Sequence, residues 1–209
     1  MRIPRILPVL FLPVFLGACG GGDQAEPAAD AEMATVASAP ACVLQGATMA
    51  EALERPSPIR EVSFSVGGHD GLLCYGAPSA RGRVILGEIE PFGTPWRMGA
   101  NEPTTLHLTG PTQVGGVTLE AGSYSLYAIP GETEWTIFLN SNVDRWGIPI
   151  GDDVRATEVG SFTAPVEATD APVETLTFSF VPSEDGAMGD FVVEWESARV
   201  KFPVQPVMP

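Results

Sequence analysis

The stretch GSYSLYAIPGETEWTIFLN, Gly122 to Asn140, decides the fold. Two runs, 123–129 and 134–140, are rich in aromatic and β-branched residues and flank Pro130-Gly131-Glu132-Thr133. Such residues suit a pleated, half-buried surface, and the Pro-Gly break between them is a turn signal, so the stretch reads as a hairpin through a core.

Working outward, the same period-two pattern recurs. Val62-Ser63-Phe64-Ser65-Val66 alternates apolar with small polar side chains, Gly67 to Gly71 is a turn, and Leu72 to Tyr75 returns, forming a second hairpin. Arg83–Ile89 reads as a third strand and Thr104–Thr109, carrying His107, as a fourth. Val114-Gly115-Gly116-Val117 is a turn region. Further strands are expected near 154–164, 174–181, 190–195 and 198–204, with Asp185-Gly186 in a turn. One short helix is expected, Thr48 to Leu53, stopped by Pro56 and Pro58. About nine or ten short strands at intervals of roughly ten residues, with hardly any helix, point to an all-β fold: an antiparallel β-sandwich or a partly open barrel.

The N-terminus carries a different message. Arg2 and Arg5 precede an apolar run, Ile6 to Leu16, that is too short to span a bilayer core of ~30 Å. Leu16-Gly17-Ala18-Cys19 resembles a bacterial lipobox, which implies cleavage before Cys19 and lipid on that residue. No aspartate follows Cys19 directly, a pattern like that of outer-membrane sorting in Gram-negative cells. Residues 20–41 are small, acidic and proline-containing and cannot bury enough apolar surface to offset chain entropy. The expected organisation is a signal peptide over 1–18, a lipid-anchored flexible tether over 19–41, and one β-sandwich domain over 42–209. That places the chain in the bacterial cell envelope, on the periplasmic face of the outer membrane, attached to the membrane through Cys19.

Formal net charge is −15, and loss of Arg2 and Arg5 with the leader makes it −17. A surface this acidic repels a phosphate backbone, so nucleic acid is not an expected partner. With Cys19 lipidated, Cys42 and Cys74 remain as an even pair in an oxidising compartment. A bridge between them would close a loop of about 30 residues and contribute ~3 kcal/mol; two buried free thiols are the alternative. No CxxC occurs, and His69 and His107 lack ligand spacing, so no metal is expected. No GxSxG, GxGxxG or P-loop occurs, so neither a serine-hydrolase elbow nor a nucleotide cofactor is expected.

The functional candidates lie in Tyr75 to Thr105. Arg81, Arg83 and Arg97 stand there among glycines and prolines, with Trp96 and the pair Asn101-Glu102. Converging guanidinium groups make a fork-shaped site for carboxylate or phosphate. The other reading has each arginine pairing with Glu88, Glu90 or Glu102 to tie loops to the sandwich. Trp135 and Trp195 lie in expected strands and belong to the core; Trp96 and Trp146, in glycine-rich loops, suit either loop packing or a flat wall for a ligand. The first expectation is therefore a loop pocket for a small polar or anionic ligand, lined by Arg81, Arg83, Trp96, Arg97, Asn101, Glu102 and Trp146. The second is an enzyme on an exported substrate, with Glu102 or His107 as acid/base and Arg97 stabilising an anion.

From residue 62 onward the chain resembles DUF2911, a bacterial family of unknown function. The resemblance rests on Tyr75 to Arg83, Pro91 to Thr105, Ala121 to Gly131, Glu134 to Ile137, Trp146-Gly147, Pro172 to Thr175 and Glu194-Trp195. It implies an exported, β-rich protein and no particular activity. Met98 and Pro103 depart from the family pattern, inside the suspected surface.

Lipidation is directly testable. The intact mass of membrane-fraction protein is expected to show a diacylglyceryl adduct that Cys19→Ser abolishes; an unmodified mature chain in the soluble fraction overturns it.

Overall fold

In the computed structural model, which describes residues 41–208, the central hairpin forms as read. Strand β6 (Gly122–Pro130) pairs antiparallel with β7 (Glu134–Asn140), from Ser125 opposite Asn140 to Pro130 opposite Trp135. The first hairpin is longer than its alternating pattern, with β1 (Ile59–Val66) and β2 (His69–Gly76) in full register. Gly67 and Gly68 turn it with φ of 57° and 80°, the left-handed pair that a two-residue hairpin needs. Gly67 is also a close approach, since a Cβ there would lie 2.4 Å from the Pro206 side chain.

Strand β3 (Thr104–Leu108) is buried throughout. The Gly115-Gly116 turn joins two three-residue strands, β4 (Thr112–Val114) and β5 (Val117–Leu119). The four strands expected after residue 154 are two long ones, β8 (Glu158–Pro182) and β9 (Gly189–Pro206). Bulges interrupt both. In β9 the core side chains are Phe191, Val193 and Trp195, then Ala198, Val200 and Phe202. That one-residue slip in phase falls at Glu196, whose φ is 51°.

All nine strands form one antiparallel sheet in the order β1-β2-β3-β6-β7-β8-β9-β4-β5, not closed into a barrel. The sheet doubles into a sandwich through β8, which pairs with β7 up to Pro165 and with β9 from Val166 onward. Aromatic contacts fill the space between layers: Phe64 meets Phe180 and Phe191 at 5.1 and 5.0 Å, and Tyr75 meets Phe178 at 4.7 Å.

One expected strand is absent. Residues 83–89 form turns, with Glu90 N–H donating to Ile85 O and Gly87 N–H to Glu90 O. The cause is twofold. Gly82 and Gly87 take left-handed φ of 71° and 92°, which interrupts a regular strand at both ends of this run. The amides of Ile85 and Leu86, which would join a ladder, donate instead to the two carboxylate oxygens of Glu196 at 3.0 and 2.8 Å.

The short helix is α1 (Met49–Leu53), with Thr48 and Glu51 exchanging hydrogen bonds as a capping box. It belongs to an N-terminal arm, residues 42–58, on the outer face of the sheet. Ala52, Ile59, Leu72 and Cys74 make a small second core there, with Cys42 and Leu44 packed against it. The Cys42–Cys74 disulfide forms as expected, with Cα atoms 5.7 Å apart. Among the described residues no helix is long and apolar enough to cross a membrane. The signal-peptide and tether assignments lie outside the described residues, apart from Ala41.

The disulfide closes a separation of 32 residues, so replacing both cysteines by serine is expected to cost ~3 kcal/mol in urea unfolding. An unchanged midpoint would show that the arm adds nothing to folding.

Candidate functional site

Strand register assembles a polar row on the outer face of the sheet. Cys74 lies opposite Thr105, Thr105 opposite Ser125, Ser125 opposite Asn140 and Asn140 opposite Glu158. Side chains alternate along each strand, so Leu73, Leu106, Leu126 and Leu139 point the other way, into the sandwich. The row is nevertheless buried: Thr105, Ser125 and Asn140 have almost no exposure. Two covering segments account for this, the arm and the loop over 141–157.

Asn140 seats the loop. Its Nδ2 donates to Val154 O at 2.6 Å, and its Oδ1 accepts from Asn142 N and Thr157 Oγ1 at 2.7 and 2.9 Å. Ser125 adds a bond from Oγ to Asn142 O at 2.8 Å. The loop contains α2 (Asp152–Arg155) and carries Arg145, Trp146 and Gly147.

Glu102 seats the arm. Its Oε2 takes Arg55 Nη1 at 2.6 Å and its Oε1 takes the Gln45 amide at 3.0 Å. It is 2 % exposed. Asn101 beside it has φ of 65°, and its Nδ2 donates to Ser57 O at 3.0 Å.

Three of the seven expected ligand residues share one neighbourhood. Gly147 N–H donates to Asn101 O at 3.0 Å. A Cβ on Gly147 would lie 2.5 Å from both Arg97 Cδ and Asn101 O, so Arg97 and Asn101 press on this glycine and a side chain has no room there. Trp146 precedes it, 45 % exposed. Arg97 is half-buried and donates Nε to Gly99 O at 3.1 Å. Burial lowers its pKa, and the charge of Glu90 opposes that shift; Glu90 itself is pushed up by burial.

The other four go elsewhere. Arg81 and Arg83 are exposed and bind their own surroundings: Arg81 donates from Nη2 to Pro56 O at 3.2 Å, Arg83 from Nε to Ala80 O at 2.9 Å and from Nη2 to Ser79 O at 3.0 Å. The expectation that Trp96 walls a ligand is corrected. Trp96 is 2 % exposed in the core, stacked on Trp195 and edge-on to Trp135. Glu102 is spent on the arm, and its burial removes it from the reach of a ligand, which also removes it as an acid/base.

His107 is buried between two hydroxyls, Nδ1 2.7 Å from Ser123 Oγ and Nε2 3.1 Å from Thr105 Oγ1. Burial lowers its pKa, favouring the neutral imidazole. Cys42, Glu61 and Cys74 side chains come within 4.8 Å of one another, but the two sulfurs are bonded to each other and offer no thiolate to a metal.

Sequence reasoning missed Arg145. Half-buried, it donates from Nη1 to the carbonyls of Trp146 and Gly147, both at 3.1 Å, and from Nη2 toward Ser125 Oγ at 3.5 Å. Its buried Nε has no partner among the described residues, and burial lowers its pKa. The only signal was its place beside the Trp146-Gly147 pair.

A family model described as "Protein of unknown function (DUF2911)" matches residues 57–204. The chain belongs to this family. The DUF2911 match spans β1 to most of β9 and so includes Arg97, Asn101, Glu102 and the Arg145–Gly147 loop; residues 42–56 of the arm lie before it. No curated protein and no solved structure matches the chain.

Removing the Glu102 carboxylate leaves the Arg55 guanidinium and the Gln45 amide without their acceptor. Glu102→Ala is expected to cost ~3–5 kcal/mol and to raise amide exchange across residues 42–58. A loss below ~1 kcal/mol would mean the pair is screened like a surface ion pair.

Proposed function

We propose that this DUF2911 protein is a lipid-anchored module of the bacterial cell envelope. Lipid on Cys19 holds it at the periplasmic face of the outer membrane, residues 19–41 serve as tether, and the sandwich binds a small polar or anionic ligand. The ligand site is the neighbourhood of Gly147: Arg97, Asn101, Arg145 and Trp146.

One observation carries this reading. Arg97 and Arg145 are both half-buried, both reach the Trp146–Gly147 segment, and among the described residues neither has a carboxylate within 4.0 Å. Withdrawing a guanidinium from water costs several kcal/mol unless an anion or enough acceptors compensate it. The carbonyls of Gly99, Trp146 and Gly147 supply part of that compensation. Glu90 and Asp153 act on them through charge but from beyond bonding distance, so in a chain of net charge −15 these two arginines keep capacity for an anion from outside. Exposed Trp146 offers an apolar face beside them.

Thermal-shift titration with inorganic phosphate, acetate, citrate and neutral sugars tests the site. At least one anion is expected to raise the melting temperature of the wild type. Arg97→Lys and Arg145→Lys keep the charge but lose the planar fork, so each is expected to weaken that response by ~1–3 kcal/mol while the free protein melts near the wild-type temperature. If no anion stabilises the wild type and both variants melt lower, the arginines brace the loop and bind nothing.

A further inference from the structure

The apolar part of the same long stretch builds a second surface, on other residues. Val84, Ile89 and Phe92 stand 51 %, 47 % and 41 % exposed within nine residues of chain. Val84 and Phe92 line a cleft of about 380 Å³ with Leu86, Trp135, Val166 and Ala198. Three glutamates share its lining: Glu132, Glu167 and Glu196. Exposed Glu88 lies next to Ile89 on the same loop. The neighbouring cations are engaged: Lys201 pairs with Glu167 at 3.3 Å, Arg199, opposite Glu167 in the sheet, pairs with Glu194 at 2.7 Å, and Arg83 donates to the Ala80 and Ser79 carbonyls.

The loop is preformed. Buried Ile85 pins it to the core, and Glu196 grips the amides of Ile85 and Leu86. Gly93 N–H donates to Pro130 O at 2.8 Å, and the Phe92 ring rests on Gly87, where a Cβ would come within 2.8 Å of it. Glu196 holds its left-handed backbone in order to make this grip. A rigid loop that presents three large apolar side chains to water is costly in solubility unless something covers them.

We propose that this cleft is a docking surface for a basic, apolar peptide segment of another exported protein. Charge complementarity selects the occupant: the apolar wall takes a large side chain, and the glutamate rim takes lysine or arginine on either side of it. A phosphate-bearing or acidic partner is repelled by the same rim. The rim also disfavours an anionic bilayer as the covering surface.

Fluorescence anisotropy tests this with the mature protein and three labelled eight-residue peptides, alternating Lys/Leu, Lys/Ser and Glu/Leu, at near-physiological salt. The Lys/Leu peptide is expected to bind, more weakly as salt rises, and the other two to fail. Phe92→Ser is expected to weaken binding about tenfold and Glu132→Gln with Glu167→Gln several-fold. These side chains are exposed, so melting temperatures are expected to hold; if Phe92→Ser melts lower, Val84→Ser, which also lines the cleft, replaces it. The proposal is overturned if Lys/Leu does not bind, if Lys/Ser binds equally well, or if the serine variant binds Lys/Leu as the wild type does. Co-sedimentation with phosphatidylethanolamine vesicles that depends on Phe92, without peptide binding, also overturns it in favour of a membrane surface.

Discussion

The structure depends on the insertion of Trp96. Residues 77–103 leave the sheet between β2 and β3, and without a fixed point they would be a long free excursion. Trp96 supplies the central one, flanked by the Ala80–Glu174 bond and the Glu196 grip before it and the Ala100–Gly76 bond after it. Its backbone exchanges two hydrogen bonds with Ala128, at 2.7 and 2.8 Å, forming a single antiparallel bridge to β6. Its ring lies between Trp195, stacked at 5.6 Å, and Trp135, edge-on at 5.5 Å, so one side chain ties the excursion to β7 and β9 as well. The indole N–H finds no acceptor among the described residues. That omission costs ~1–3 kcal/mol, which burial of an aromatic surface of ~150–250 Å² outweighs at ~25 cal/mol per Å². Trp96 and Met98 on either side of Arg97 are buried while Arg97 is only half-buried, and the chain bends at Met98, whose φ is 54°. With both neighbours fixed in the core, the Arg97 side chain is left toward the surface, its Nε bonded to Gly99 O.

Backbone conformation around this wedge repeats one pattern. Among the described residues four non-glycines have left-handed φ: Arg81, Met98, Asn101 and Glu196. Each conformation costs ~1–2 kcal/mol relative to glycine, and each side chain does something glycine cannot. Met98 fills the core, and its carbonyl accepts from Thr104 Oγ1 at 2.8 Å. Asn101 and Arg81 donate to the carbonyls of Ser57 and Pro56, so the excursion holds the end of the arm from two sides. Glu196 caps the Ile85 and Leu86 amides. The strain is local, and for Arg81, Asn101 and Glu196 the compensation is a bond to a distant segment, whereas Met98 is compensated by burial in the core.

That division explains what could be read from the chain. The 122–140 hairpin was legible because alternation and a Pro-Gly turn are local signals. The disulfide was legible on the expectation that Cys19 is lipidated outside the cytoplasm, which leaves Cys42 and Cys74 as an even pair, with two free thiols as the alternative. The 83–89 strand was misread because Val84-Ile85-Leu86 has strand composition, whereas its amides are claimed by a glutamate 110 and 111 residues away. β9 was divided in two because the bulge at Glu196 reverses its inward phase, and β8 because residues 167–175 bury no side chain; each looks like a strand end. Trp96 was taken for a rim residue because its neighbours are glycine and proline. Neither its bridge to Ala128 nor its aromatic partners are near it in sequence. The ion pair of Glu102 with Arg55 spans 47 residues, and no spacing rule reaches that far.

The arginines of the site separate on the same physical ground. Arg55 and Glu102 neutralise each other at 2.6 Å, and Glu102 also takes the Gln45 amide; such a pair is a fastener, complete in itself. Arg97 and Arg145 are half-buried too, but among the described residues their hydrogen-bond partners are carbonyls and, for Arg145, the Ser125 hydroxyl, none of them charged. Carbonyls can orient a guanidinium, yet they carry no net charge to balance it, so burial pulls both pKa values down. Glu90 is close enough to act on Arg97 through its charge but stays beyond bonding distance, and its own pKa rises with burial. In a sequence with 26 carboxylates neither of these cations has one within 4.0 Å among the described residues, and both lie against the Trp146–Gly147 segment. Gly147 is what permits that approach, because any side chain there would displace both Arg97 and the Asn101 carbonyl. The fastener and the open donors therefore lie side by side, at consecutive residues Asn101 and Glu102, with the arm on one flank and the 141–157 loop on the other.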